Sequence, residues 1–226
     1  MSERKISLSV EDVKAAITGF CRLYPVAFQV AYRVRNTIEE LYGPKSSLVP
    51  SDLTAGFTPG YYDAHARFHR GRCDIPASSI HDVFTLEETL RHELLGHFGI
   101  NTFMPEDKRS ILNAIVAARD QPVLDARWVE VDELYKGKPE LVRAEEVYAF
   151  ACEDIEFPPS VQASHVMRAL DETCIRCTRA MQMDDLALIT RYVAACLHDC
   201  SCRQQTFPVP GEQFRVMVHE RNAGRP

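Results

Sequence analysis

Apolar residues recur at three- and four-residue intervals through residues 8–24, at Val10, Val13, Ile17, Phe20, Cys21 and Tyr24. They recur again through 26–42, at Val30, Val34, Ile38 and Leu41. This period predicts two amphipathic helices. Gly43-Pro44 stops the second, because proline cannot continue a helix. Between Ser46 and Val83 the period shortens. Runs at Leu48-Val49, Gly56-Phe57, Tyr61-Tyr62, Arg67-Phe68-His69 and Cys73-Asp74-Ile75 alternate with turn signals at Pro59-Gly60, Asp63-Ala64 and Arg70-Gly71, which predicts a small antiparallel sheet.

Helical spacing then returns. Thr85-Leu86-Glu87-Glu88 has the form of a capping box, so a helix is expected from Thr85 to about Gly99. Further helices are expected at about 106–119, at 139–156 with Pro139 as first helical residue, at 160–182, and at 184–202 with Asp184 as cap. Phe214, Val216 and Val218 alternate with polar or flexible residues and suggest one late strand. The class expected is α+β, mainly helical, in one domain over 1–226. Its parts are N-terminal helices (8–42), a small sheet (46–83), site-bearing helices (85–156), and C-terminal helices with a tail (160–226).

Composition agrees with a folded globule: of 226 residues, 46% are apolar and 26% charged. The longest unbroken apolar stretches, such as Tyr192 to Leu197, are far too short to span a bilayer, and no signal-peptide core follows the N-terminus. A cytoplasmic protein without membrane association is the expectation. Acidic side chains outnumber basic ones by 32 to 26, for a formal charge of −6, which makes nucleic acid an unlikely partner on average charge alone. A local basic run, His65 to Arg72, runs against that average and reads as a solvated hairpin. The eight cysteines are expected to be reduced thiols. Cys174, Cys177, Cys196, Cys200 and Cys202 have spacings that could serve a second metal, but they fall in helical pattern where thiols pack as small apolar groups.

The chemistry concentrates in Arg91-His92-Glu93-Leu94-Leu95-Gly96-His97-Phe98-Gly99. Two imidazoles can bind a zinc ion while a neighbouring carboxylate takes a proton from its water. At about 100° per residue, histidines five apart diverge by about 140° on a regular helix. One wide π turn restores a common face, and Gly96 is the expected place for it. A catalytic zinc needs a third protein ligand. Glu145 and Glu146 are adjacent on the helix expected downstream, so one can coordinate while the other orients a histidine. Glu153, seven residues on, shares a face with Glu146 and is a further orienting candidate. Tyr61, Tyr62, His65, His69 and Tyr148 are candidate donors to a developing oxyanion, with Tyr148 preferred for its nearness to Glu146.

His92-Glu93-Leu94-Leu95-Gly96-His97 is identical to the H-E-L-L-G-H signature of the dipeptidyl peptidase III family. Glu145-Glu146-x-x-Ala149 resembles that family's second motif, with Phe150 where the family has an acidic residue. The resemblance implies His92, His97 and Glu146 as zinc ligands and Glu93 as general base. Gly60-Tyr61-Tyr62-Asp63, His92 to Gly99 and Glu145 to Ala149 also come in the order found in the zincin-like metallopeptidase domain of plasmid and phage polyvalent proteins. That second resemblance spans about residues 55–155. Together they imply a compact zincin-like fold, a Zn²⁺ cofactor, and hydrolysis of a peptide or protein substrate. A catalytically silent zincin-fold binding or inhibitory module of a mobile genetic element is the alternative. A nucleic-acid-associated plasmid or phage factor ranks third because of the net charge.

Overall fold

The computed structural model describes residues 7–51, 53–62, 64–65, 68–103, 105–156 and 181–200. Helix α1 (Val10–Leu23) begins at a Ser9/Asp12 capping box and buries Val13, Ile17, Phe20 and Cys21 along one face. The helix expected over 26–42 is not formed. A 3₁₀ turn (Pro25–Gln29) leads into strand β1 (Val30–Arg35), and only Ile38–Tyr42 is helical (α2). Val30 and Val34 fit both periods, because positions i and i+4 share a face in a strand as well as in a helix. The β-branched valines with Tyr32 between them, flanked by Arg33 and Arg35, carry the period of two.

Strands β2 (Gly56–Tyr62) and β3 (Phe68–Pro76) complete a three-stranded sheet in the order β1-β3-β2. It is mixed rather than antiparallel: β2 runs antiparallel to β3, while β1 pairs with β3 in parallel, Tyr32 opposite Cys73 and Val34 opposite Ile75. The inner face carries Val30, Val34, Phe57, Cys73 and Ile75, all buried. Gly71 lies on that face beneath the Phe57 ring, which would meet an added Cβ at 2.2 Å. Leu48-Val49 is not a strand; Gly43–Leu48 forms a 3₁₀ turn.

Helix α3 (Val83–Leu90) starts two residues before Thr85, because Asp82 is the cap and accepts from the Thr85 backbone N–H (2.8 Å). It continues into a π-helical segment, Arg91–Phe98. Helix α4 (Pro105–Ala117) follows, then α5 (Pro122–Leu134), which the period reading missed, and α6 (Glu140–Glu153), where Pro139 is the cap instead of the first helical residue. The last described element, α7 (Met183–Asp199), is capped by Gln182 with Asp185 in place of Asp184. The expected helix over 160–182 falls almost wholly, and the strand at 214–218 wholly, outside the described residues.

The signal for α5 was present: Leu124, Trp128 and Val131 keep helical spacing and are buried. The many charges around them hid it. Those charges are used: Asp132 bridges Arg119, in the turn after α4, and Arg143 of α6, and Arg119 lies 4.9 Å from the Trp128 ring centroid. No helix among the described residues is long and apolar enough to cross a membrane.

Candidate metal centre

The π segment carries the site. With its wider turn the imidazoles of His92 and His97 meet edge to face, ring centroids 5.1 Å apart, where a regular helix would splay them. Gly96 serves a different need as well: a Cβ there would come within 2.7 Å of the Ala149 backbone, so only glycine lets α6 approach this closely. That approach brings Glu146 to the histidines. Its Oε2 lies 3.4 Å from His92 Nε2 and 3.4 Å from His97 Nε2. His92, His97 and Glu146 are the one trio of possible metal ligands that converges among the described residues.

The residues fit a metal. The 3.4 Å separations are long for a hydrogen bond, yet they match the edge of about 3.3–3.4 Å expected of a tetrahedron with bonds near 2.0–2.1 Å. Both Nδ1 atoms are taken: His92 Nδ1–H donates to Glu153 Oε1 (2.7 Å) and His97 Nδ1–H to Glu145 Oε1 (3.2 Å). A carboxylate can only accept, so each Nε2 is the nitrogen left facing Glu146, and it offers a lone pair to an ion once its own proton has gone. Phe150, where the resemblance expects an acidic residue, packs its ring against His92 at 4.9 Å.

Behind Glu145 lies a buried ammonium that the sequence did not single out. Lys108 Nζ binds Glu145 Oε2 (2.8 Å) and Asn101 Oδ1 (3.0 Å), and Asn101 Nδ2 donates to the carbonyl of His97 (2.6 Å). A buried lysine is not readable from a surface-type helix pattern, since its partners come from two other segments. Tyr135, the residue that closes α5, lies near enough to Glu146 for that carboxylate to help hold its phenol protonated.

Burial would pull both histidines toward neutrality, but the carboxylates win. Burial is outweighed at His92 by Glu146 and Glu153, which push its pKa up to about 9, and at His97 by Glu146 and Glu145. Burial likewise opposes ionisation of Glu145, yet Lys108 and His97 bring its pKa down to about 2. Glu146 is lowered too, burial being overcome by the two imidazoles. Glu93 goes the other way, raised by burial, with the backbone N–H of Phe57 as a partner. Its Oε2 has no hydrogen-bond partner among the described residues. A divalent ion held here would lower the pKa of a bound water toward about 7. The Glu93 carboxyl, buried in the same cluster, is the group with unused capacity to exchange a proton.

Tyr148 lies elsewhere. It is fully buried on the core side of α6, with Cys152 as its near neighbour. Tyr61 pairs with His69 in the sheet register, Tyr62 lies on β2, and His65 is in the turn between β2 and β3. Of the cysteines considered for a second metal, Cys196 is buried and Cys200 exposed. Cys174, Cys177 and Cys202 lie outside the described residues.

Fold and site define a mainly helical α+β protein with a buried two-histidine, one-glutamate cluster suited to one divalent ion. No protein-family model matches the chain, and no solved structure does. Among curated proteins it is similar to the DNA primase TraC of Escherichia coli, with 41% identity over 208 residues. That alignment covers 90% of this chain and 14% of the relative, so the chain spans about a seventh of the relative's length.

This similarity corrects the functional expectations. Resemblance to peptidases rested on short motifs, whereas the alignment takes in nearly the whole chain and its named relative is a DNA primase. The zinc metallopeptidase reading, with its peptide or protein substrate, is therefore withdrawn, and the silent zincin-fold module with it. The argument that nucleic acid is an unlikely partner also falls. It rested on net charge, which averages over the molecule and says nothing of how charge is distributed on one face.

Proposed function

We propose that this chain is a zinc-binding module of a DNA-primase-type protein and serves that protein's work on nucleic acid. One observation carries the reading: the 208-residue similarity to a DNA primase, which at 90% coverage takes in the central segment bearing the triad. His92, His97 and Glu146 hold the ion, and Glu145 and Glu153 orient the imidazoles. Glu93 is the carboxylate that manages the proton of a bound water.

Two nitrogens and one carboxylate suit zinc better than magnesium, which prefers oxygen donors and its own waters. For that reason the centre is not assigned to nucleotidyl transfer, and it supports the module's role beside primer synthesis. Tyr148 keeps a packing role.

Elemental analysis and fluorescence anisotropy with labelled single-stranded DNA test the reading. One zinc per chain is expected, lost in His97→Ala, together with DNA binding that weakens as salt rises. A metal-free purified chain, or no DNA binding at about 50 mM salt, overturns it.

Zinc binds neutral imidazole, whereas His92 and His97 hold protons in the metal-free protein. Loading at pH 7 should release about two protons, measurable by calorimetry in buffers of different ionisation enthalpy. Because the His92 pKa is raised to about 9, its contribution to metal-free stability is full below the unfolded value near 6.5 and is lost as pH rises through 9. Zinc affinity should climb across that same window.

A further inference from the structure

Lys108 comes to the metal centre from α4, which supplies no ligand, and its contacts close a ring. Its Nζ donates to Glu145 Oε2 (2.8 Å) and to Asn101 Oδ1 (3.0 Å). Glu145 Oε1 accepts from His97 Nδ1–H (3.2 Å), and Asn101 Nδ2 donates to the His97 carbonyl (2.6 Å). The ring therefore begins and ends on one residue. It grips His97 by its imidazole on one side and by its backbone on the other. Lys108, Asn101 and Glu145 are all buried, so these bonds are made out of reach of bulk water.

His92 is held differently. Its Nδ1–H donates to Glu153 Oε1 at 2.7 Å, and Arg91 Nε donates to the Glu153 carbonyl (2.8 Å). Among the described residues no lysine or arginine pairs with the Glu153 carboxylate, whose side chain is 28% exposed. A bond as short as this one sets the plane of the ring unaided. The His97 bond is longer and weaker, so the direction of that ring depends on where Glu145 is held. Stability alone does not account for the ring either. A buried ion pair adds little over apolar side chains of the same volume, and the Asn101 arm runs to the backbone of the very ligand whose own hydrogen bond is weak.

We propose that Lys108 is the positioning residue for His97: through Glu145 and Asn101 it fixes the imidazole and the backbone of that ligand, so that zinc affinity depends on a side chain that is not itself a ligand. The proposal rests on the zinc reading above and adds the residue that tunes it. The π segment explains the need. His97 lies near its C-terminal end, where a wide turn must give way to the chain leading into α4, and a backbone carbonyl there is held in place from outside by Asn101. Lys108 ties that hold to the one on the imidazole, so carbonyl and ring cannot move separately.

The test combines zinc affinity, from competition with a chelator, with the proton NMR signals of the two imidazole Nδ1–H groups in the zinc-loaded protein. Glu153→Gln assigns them, since it alters the partner of His92 alone. Lys108→Met should weaken zinc binding about 10–100-fold and should shift or broaden the His97 proton while leaving the His92 proton in place. Asn101→Ala leaves the Lys108–Glu145 pair intact and removes only the backbone arm. It should weaken zinc binding by about three- to tenfold, the worth of one hydrogen bond, and disturb the same proton. Ile17→Ala is the structural control: it opens a core cavity in α1, which contributes nothing to the ring, and should leave zinc affinity within about twofold of the parent.

If Lys108→Met binds zinc as the control does, or if the two imidazole protons change together, Lys108 supports the fold and does not position His97, while the zinc reading stands. Should Lys108→Met fail to fold, Asn101→Ala decides alone: parent-like affinity with an undisturbed His97 proton overturns the proposal. If the parent binds no zinc, the reading itself fails and takes the proposal with it.

Discussion

Around His92 and His97, ionisable groups are buried together and, Glu93 apart, each is matched: imidazole to carboxylate, carboxylate to ammonium, and one carboxylate shared at 3.4 Å between two rings. On the outer face of the sheet, two arginines share a single enclosed aspartate, and the exposed Arg35 stands on the same strand as one of them. Both regions are ionic, but they differ in what the solvent can do for them. Inside, a charge that loses its partner has no water to turn to; at Arg35, on the exposed edge of the outer face, it does. The first region is therefore built to hold its geometry, whereas at the exposed edge of the second a lost charge costs little.

The difference is sharpest at Lys108. Lys108→Met removes the cation that holds Glu145 and leaves a buried carboxylate facing His97 alone. Stability is expected to fall by about 3–5 kcal/mol, read by urea unfolding of the metal-free protein. Adding Glu145→Gln should restore much of the loss, since removing both partners of a buried pair costs far less than removing one. A cost near that of a surface substitution would mean that Lys108 is solvated, and the contrast between the regions would disappear.

Packing separates them next. The π segment meets α6 at Gly96, where an added methyl group would press on the Ala149 backbone at 2.7 Å. Backbone cannot step aside as a flexible side chain can. Gly96→Ala is expected to cost about 1–3 kcal/mol and to weaken zinc binding, because relieving the clash moves Glu146 away from the histidines. An alanine variant that keeps full stability and zinc affinity would break the claim that close approach sets the triad.

How much of this could be read in the chain follows the same line. The triad was legible because two of its members lie five residues apart on one segment and the third sits in a recognisable pair of glutamates. Even the unusual turn follows from asking how His92 and His97 could face one ligand. The orienting lysine was not legible, nor was Tyr135, because each reaches the site from an element whose place depends on tertiary packing. Strand β1 was misread because Val30 and Val34 satisfy two periods at once, and that error hid the arginine face. Arg33 and Arg35 are some forty positions from Asp74, and only the parallel pairing of β1 with β3 brings them together. The misplaced cap at Thr85 is a smaller lesson: Asp82 stands three residues earlier and offers the same chemistry with a free carboxylate.

The smallest effect on stability belongs to Arg35. Its side chain is exposed and donates to the carbonyl of its own neighbour Val34 (2.9 Å), so water can replace what it gives. Arg35→Gln should change the unfolding free energy by no more than about 0.5 kcal/mol, within the range of ordinary surface substitutions. At Arg35 the fold is then indifferent to the charge, whereas at Lys108 stability and metal geometry move together. A large stability loss in Arg35→Gln would make the residue part of the sheet's scaffold and would merge the two regions into one kind of ionic cluster.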